Sequence, residues 1–420
     1  MKNICLIFHV HHPFHFQQFR FFDVGISKSY YDDSRIEGQI HDAAANYYLP
    51  VNDLLHKLIK KLKGKLKLSF YISGPALDQF IMYAPKIITS FKQLADTGLV
   101  EFMGGTSSHS IVSLSDNTNE FKRQIVQNKE RLESLIGQTP LVFVNTDLLF
   151  SNQIAKIVSE AGYSTIFTNG AKKILQWRSP NYLYSGENRN IIKILFRNEA
   201  ISNTFSKFNF LENKEQFKQL FESLQNINES EPFVNIYFDY RNLGGIKRID
   251  RQQIFISFVK KIICDEFFSF SLLSDLAIQF DPIAEVGTDE PICWAEHFHS
   301  SYFPGNNLQK DAIQQLFKLS PHVVNIQNPG LQKDWQYLQI SDHFHLMDEN
   351  HPDYLDNSTN PGIYLSKYDA YINYTNILED FRQRIKAEKT RQKIKHTVLH
   401  EPIHEPPVIN VSHQYNSIYK

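Results

Sequence analysis

The stretch LVFVNTDLLFSNQIAKIVSEAG, Leu141–Gly162, decides the fold. Its first half is a short apolar run that ends in Asn145, Thr146 and Asp147. Such a run, rich in Val and Phe and closed by polar residues, reads as a buried parallel strand. Its second half opens with Ser151, a good N-cap, carries Ile154, Ile157 and Val158 on one face, and stops at Gly162. A buried strand followed at once by an amphipathic helix is a βα unit, and repeated βα units build a parallel sheet.

The same kind of run recurs on both sides of this unit: Asn3–Val10, Leu66–Ser73, Val100–Gly105, Ser164–Asn169, Ile191–Phe196 and Phe233–Asp239. Helical patterns lie between several of them, at Pro50–Leu62 and Glu120–Ile136. With the opening unit this makes seven strand candidates, which suggests an α/β barrel of about that number, with an open sheet as the other solution. After about residue 285 the pattern becomes helical, with helices expected over Asn307–Leu319 and Ser366–Lys386. The expected organisation is a barrel over 1–285, a helical region over 286–390 and a flexible tail over 391–420, where Pro402, Pro406 and Pro407 lie among polar residues.

The chain has 420 residues, 42% of them hydrophobic, enough for one large core. Its 44 Lys+Arg balance 45 Asp+Glu, so no electrostatic footprint for nucleic acid or an anionic membrane is expected. Cys5, Cys264 and Cys293 are odd in number and far apart, which supports neither a disulfide framework nor a zinc knuckle. The opening MKNICLIFHVHHPF is too briefly apolar for a signal peptide and reads as the first strand. No run approaches the roughly 18 apolar residues of a membrane helix, and the reading is a cytoplasmic protein.

In a parallel barrel, chemistry belongs at the C-terminal ends of the strands. The first strand ends there in His9, Val10, His11, His12. Side chains alternate along a strand, so His9 and His11 point the same way, and His11 is a candidate contact to a sugar hydroxyl or a metal. Asp147 and Asp239 leave apolar strands at their C-terminal ends. Desolvation there raises a carboxylate pKa and suits a general acid, and glycoside hydrolysis needs two such carboxylates. Asp147 can equally cap the helix that follows. Trp177 with Arg178, Trp294, Trp335 and Ser341-Asp342-His343 offer rings and polar groups for a sugar, although a tryptophan is at least as often core. The string His400-Glu401-Pro402-Ile403-His404 matches HExxH, but Pro402 opposes the helix that this motif needs.

At these residues the chain resembles glycoside hydrolase family 57, in particular its compact α-amylase-like members. The ordered matches include VHHPF at Val10–Phe14, EFMGGTSSHS at Glu101–Ser110, NTDLLFSNQIA at Asn145–Ala155, IYFDYRNLGG at Ile236–Gly245 and LQISDHFHLM at Leu338–Met347. The resemblance implies an incomplete seven-stranded barrel with C-terminal helices. It implies retaining chemistry on α-1,4-glucans without an obligatory cofactor, with Asp147 at the nucleophile and Asp239 at the acid/base. It retains His11 and His109. The chain departs from the family pattern where the chemistry lies. Asp147 stands where the family has Glu, shorter by roughly 1.5 Å. Arg241-Asn242-Leu243-Gly244-Gly245-Ile246 replaces a run with two acidic groups and a His, and Gly105 replaces a Glu. The expected substrate-binding set is His11, His109, Trp177, Trp294, Asp342 and His343.

Three readings follow. One is an active glycoside hydrolase or glucanotransferase using Asp147 and Asp239. The second is an inactive relative that binds glucan or a protein partner. The third is a metal-dependent hydrolase or deacetylase with His9, His11 and Asp239 as ligands. Arg241, if it enters the pocket, is expected to lower the pKa of Asp239 and spoil it as an acid.

Overall fold

The computed structural model describes the chain apart from residue 28 and residues 188–191, 207–213, 246–247, 294–304, 349–363 and 401–420. All seven expected runs form strands, with β1 at Lys2–Val10, β2 at Leu68–Ile72, β3 at Val100–Met103, β4 at Val142–Val144 and β5 at Thr165–Asn169. The short β6 at Tyr184–Gly186 precedes β7 at Lys193–Arg197, and β8 spans Phe233–Asp239. Two more, β9 at Phe268–Phe270 and β10 at Glu285–Val286, complete the described strands. With β6 they were not foreseen, because two or three residues are too few to show a period.

Parallel pairing runs β3-β2-β1-β8 in one sheet, with β9 beside the start of β1, and β10-β6-β7-β5-β4 in the other, where β6 alone is antiparallel to its neighbour β7. The sheets meet where Gly104 and Phe143 bridge in parallel, with Gly104 N donating to Val142 O at 2.9 Å. On the far side Asn198 N donates to Asn235 O at 2.9 Å, and Asn235 Nδ2 to Phe196 O at 3.0 Å. The ring β1-β2-β3-β4-β5-β7-β8 is thus a seven-stranded barrel whose β7–β8 seam is held by few bonds.

The alternation of β1 sorts the core. Ile4, Leu6, Phe8 and Val10 face outward into one cluster with the surrounding helices. Cys5 and Ile7 face inward and join Tyr71, Val144, Phe167 and Leu195 in the barrel interior. His9 and His11 continue the inward row and emerge at the mouth. β1 carries this pattern because it is bonded on both edges and covered on both faces, so a one-residue slip would turn it inside out.

The helices fall as expected. Ser151 caps Asn152–Glu160, its hydroxyl accepting from Ile154 N, and Gly162 follows with φ 86°. Thr118–Ile136 buries Phe121, Ile125 and Leu132. Helices at Asn307–Phe317, Pro329–Leu338 and Lys367–His400 pack together beside the barrel mouth. Two of these lie where the sequence reading placed helices. The last runs on to His400 rather than ending near Lys386. The residues of the expected tail beyond 400, and with them most of the HExxH string, lie outside the described residues. Among the described residues no helix is long and apolar enough to cross a membrane.

Gly74 opens the helix Gly74–Tyr83 directly after β2. A Cβ there would fall inside the van der Waals radius of the Ser107 carbonyl oxygen, a backbone atom that cannot rotate away. Gly74→Ala is therefore expected to lower stability by about 1–3 kcal/mol, the cost of overpacking, read as a fall in thermal midpoint. An unchanged midpoint would show that the two loops are not in contact.

Candidate active site

At the C-terminal rim, pairing sets three side chains in one row: His9 is opposite Tyr71 on β2 and Asp239 on β8. From β4 the chain turns sharply. Asn145 caps the short turn Thr146–Leu148, and Asp147 adopts φ 53°, ψ 26°. This left-handed conformation is costly for a residue with a Cβ and is tolerated best by Asp and Asn. It aims the Asp147 carboxylate into the mouth and leaves capping of the next helix to Ser151. His109, in the loop after β3, also has a positive φ of 48°. Such outliers cluster at functional sites.

Asp147 and Asp239 line one cavity of about 360 Å³, together with His9, His109, Arg197, Tyr237 and Arg241. Each carboxylate is held. Asp147 Oδ2 accepts from His345 Nε2 at 2.9 Å. Burial would raise its pKa, but the charge and hydrogen bond of His345 outweigh burial and hold it below the usual value. Asp239 Oδ2 accepts from Arg241 Nη2 at 2.6 Å and from Nε at 3.0 Å, while Oδ1 accepts from the Arg241 backbone N–H at 2.8 Å. Burial again pushes upward, and Arg241 outweighs it, so the Asp239 pKa is lowered. This corrects the expectation of a raised pKa at both strand ends and agrees with the effect expected of Arg241. Asp342 Oδ2 accepts from His11 Nε2 at 2.8 Å, and there too the histidine outweighs burial and lowers the carboxyl pKa.

The histidines divide by neighbourhood. His345 is pushed up, because Asp147 outweighs its burial. His9 is lowered to about 4, first by burial and then by the nearby charge of His11. His109 is lowered well below its usual range, mainly by burial. The His11 and His109 rings stack at 4.1 Å between centroids, and His109 Nδ1 pairs with the Tyr71 hydroxyl at 3.0 Å.

Asp147, Asp239, His11, His109 and Asp342 thus meet at one end of the barrel. Two of the other expected contacts, Trp177 and His343, do not. Trp177 is 85% exposed and lies outside the cavity, with Arg178 over its ring at 5.7 Å. His343 is buried, stacks on Phe16 at 3.9 Å and pairs through Nε2 with the Tyr337 carbonyl at 3.0 Å, as a core histidine does. Trp294 lies outside the described residues. Trp335 is core, stacked on Phe381. The metal set His9, His11 and Asp239 is corrected as well, since Arg241 occupies Asp239. Sequence reasoning missed His345, Arg197, Tyr71 and Tyr237. Only the inward alternation of β2 and β8 could have flagged the two tyrosines.

The sequence profile of glycosyl hydrolase family 57 matches residues 5–282. A curated protein of Methanocaldococcus jannaschii named "Putative alpha-amylase" is 28% identical over 380 residues, covering 85% of this chain and 79% of that protein. Among solved structures, the 4-alpha-glucanotransferase of Thermococcus litoralis superposes with a TM-score of 0.63 at 14% identity, covering 82% of this chain and 56% of its own. The branching enzyme of Thermococcus kodakaraensis gives 0.61 at 10% identity, covering 82% and 86%. At these identities the two structures speak for the fold.

The His345–Asp147 pair generates a pH dependence. A histidine raised in the folded state stabilises fully below its unfolded pKa, near 6.5, and loses that contribution as pH rises through the folded value. A lowered aspartate stabilises above its unfolded pKa, near 3.8, and loses that as pH falls through the folded value. His345→Gln should therefore cost most, about 1.5–3 kcal/mol, between those limits, and less at alkaline pH. Denaturant titrations of both proteins at several pH values measure this. A cost independent of pH would mean the pair is not ionised.

Proposed function

The chain belongs to glycosyl hydrolase family 57, and from that premise we propose that it cleaves or transfers α-1,4-glucan through Asp147 as nucleophile and Asp239 as acid/base. The observation that carries the reading is the meeting of both carboxylates on one cavity at the C-terminal end of the barrel. The substrate class is supported by relatives named as an alpha-amylase, a glucanotransferase and a branching enzyme.

The electrostatics fit the two roles unequally. A nucleophile must be ionised, and His345 keeps Asp147 so at neutral pH. Asp147 attacks the anomeric carbon, the glycosidic bond breaks, and the leaving oxygen takes the proton of the Asp239 carboxyl, leaving Asp239 ionised. Asp239 then removes a proton from water as it attacks the glycosyl-aspartate, which regenerates both groups. The first proton is the weak point, since Arg241 disfavours the protonated form of Asp239. Turnover is therefore slow at neutral pH and faster on the acid side. His11, His109 and Asp342 are the polar groups placed to meet sugar hydroxyls beside the nucleophile.

The Arg241 clamp also favours a second reading, a glucan-binding relative that does not turn over. An anion held by four hydrogen bonds from one arginine is a structural ion pair as much as a catalytic group.

Product release from maltooligosaccharides separates the two. Under the catalytic reading Asp147→Asn loses about 1000-fold or more, and Asp239→Asn about 100–10,000-fold, the range of one general acid. Arg241→Gln should move the acid–base optimum toward neutral pH. Equal product from wild type and Asp147→Asn would remove the catalytic reading, and calorimetric binding of maltoheptaose without turnover would establish the second.

A further inference from the structure

Beside the proposed nucleophile, His11, His109 and Asp342 each offer one ligand atom, and these atoms lie within 4.8 Å of one another. We propose that these three residues bind one divalent transition-metal ion, with zinc the best fit to two imidazoles and a carboxylate. The proposal goes beyond the glucan reading: an ion would take the place of the direct contact of these three side chains with sugar hydroxyls, and the roles of Asp147 and Asp239 do not depend on it.

The first argument is distance. Tetrahedral bonds of about 2.0–2.1 Å separate neighbouring donors by roughly 3.4 Å. A spread of 4.8 Å or less exceeds this by up to about 1.4 Å, and the stacked His11 and His109 rings, 4.1 Å apart, rotate away from each other as the ion enters. The His11 Nε2–Asp342 Oδ2 contact at 2.8 Å must open by about 0.6 Å, within reach of two side chains that are not fully buried.

The second argument is how the rings are held. A metal-ligating histidine almost always fixes its other nitrogen on a second group, which sets the tautomer. Both histidines do so here. His11 Nδ1 pairs with Ser73 Oγ at 2.7 Å, and His109 Nδ1 with the Tyr71 hydroxyl at 3.0 Å. Both partners are hydroxyls, which donate or accept by rotating. Without metal, Ser73 donates to Nδ1 and His11 Nε2–H donates to Asp342. With metal, Ser73 accepts from Nδ1–H, and the Nε2 lone pair is free to ligate. A carbonyl in place of Ser73 would allow one tautomer only.

The third argument is supply. The three ligands come from β1, from the loop after β3 and from the helical region, so the ion would tie together three parts of the chain. His109 adopts a left-handed backbone to reach this point and also lines the cavity. His9 lies next to both rings, 5.8 Å from His109 and 5.9 Å from His11 between centroids, with a buried Nε2 that has no hydrogen-bond partner among the described residues. Three protein ligands leave a coordination position open for water or a sugar hydroxyl, as in catalytic rather than structural zinc sites.

The test is metal binding, read without any glucan. Full-length protein stripped with a chelator is titrated with zinc chloride by calorimetry, and metal content is measured after dialysis. One equivalent is expected, with binding at least about tenfold weaker in Asp342→Asn and His109→Ala, about 10–100-fold weaker in Tyr71→Phe, and unchanged in Asp239→Asn. Thermal melts check that each variant is folded. Should the ligand variants not fold, cobalt-loaded wild type decides, because four-coordinate cobalt at the proposed site gives visible bands far more intense than the weak band of hexaaqua cobalt. Failure of the wild type to take up zinc, or uptake that survives loss of Asp342 and of His109, overturns the proposal. Either result leaves the Asp147–Asp239 reading standing or falling on its own assay.

Discussion

Taking a carboxylate out of water costs several kcal/mol unless donors replace the lost hydration. Three carboxylates meet this constraint at one end of the barrel, and the way each is satisfied ties the molecule together. Asp342, in the helical region, is held by His11 from β1. His345, one turn further on, reaches back to Asp147 after β4. The two pairs run in opposite directions across the same boundary, donor on the barrel in one and on the helix in the other. The helical region is thereby fixed over the mouth by charge as well as by the packing of Trp335, Phe344 and Phe381. Asp239 is different. Its partner, Arg241, sits two residues along its own turn, so the third pair stabilises the rim locally and draws in no other element.

These ranges explain what the sequence could reveal. The barrel strands are legible because each is buried on both faces, so its composition alone marks it. The helix after β4 is legible because Ser151, its apolar face and Gly162 are all local signals. Asp239 and Arg241 are legible as a pair for the same reason. The partner of Asp147 lies 198 residues away, and no periodicity or spacing connects them. His343 and His345 differ by two positions on one helical turn, which turns one toward Phe16 in the core and the other toward Asp147. A string that reads Asp-His-Phe-His gives no sign of which histidine faces which way. Trp177 failed for the opposite reason, since its loop leaves the ring in solvent where composition suggested a sugar platform.

The departures from the family pattern are coupled through space. At Gly105 a Cβ would lie 2.6 Å from the Tyr71 ring and 3.0 Å from the Val144 carbonyl. A glutamate cannot occupy that position while Tyr71 stands where it does, and Tyr71 is the residue that orients His109. Gly245, where the family run has its second acid, is left-handed with φ 90°, and a Cβ there would lie 3.2 Å from the Tyr47 ring. Acidic groups have thus given way to close packing on both sides of the cavity. One of those acid positions is now Arg241, which pairs with Asp239.

The exchange at position 147, where we propose the nucleophile, follows the same logic. Position 147 has φ 53° and ψ 26°, a conformation that Asp tolerates because its short polar side chain can bond locally, and that a longer side chain enters at greater cost. The shortened side chain is therefore matched to the backbone that carries it. The left-handed turn and the His345 hydrogen bond together fix where the Asp147 carboxylate sits. Position, not length alone, decides whether a carboxylate meets an anomeric carbon, since a misplacement of about 1 Å costs about a hundredfold in rate. Asp147 and its turn are best understood as one unit, in which the strain of the backbone is the counterpart of the missing methylene.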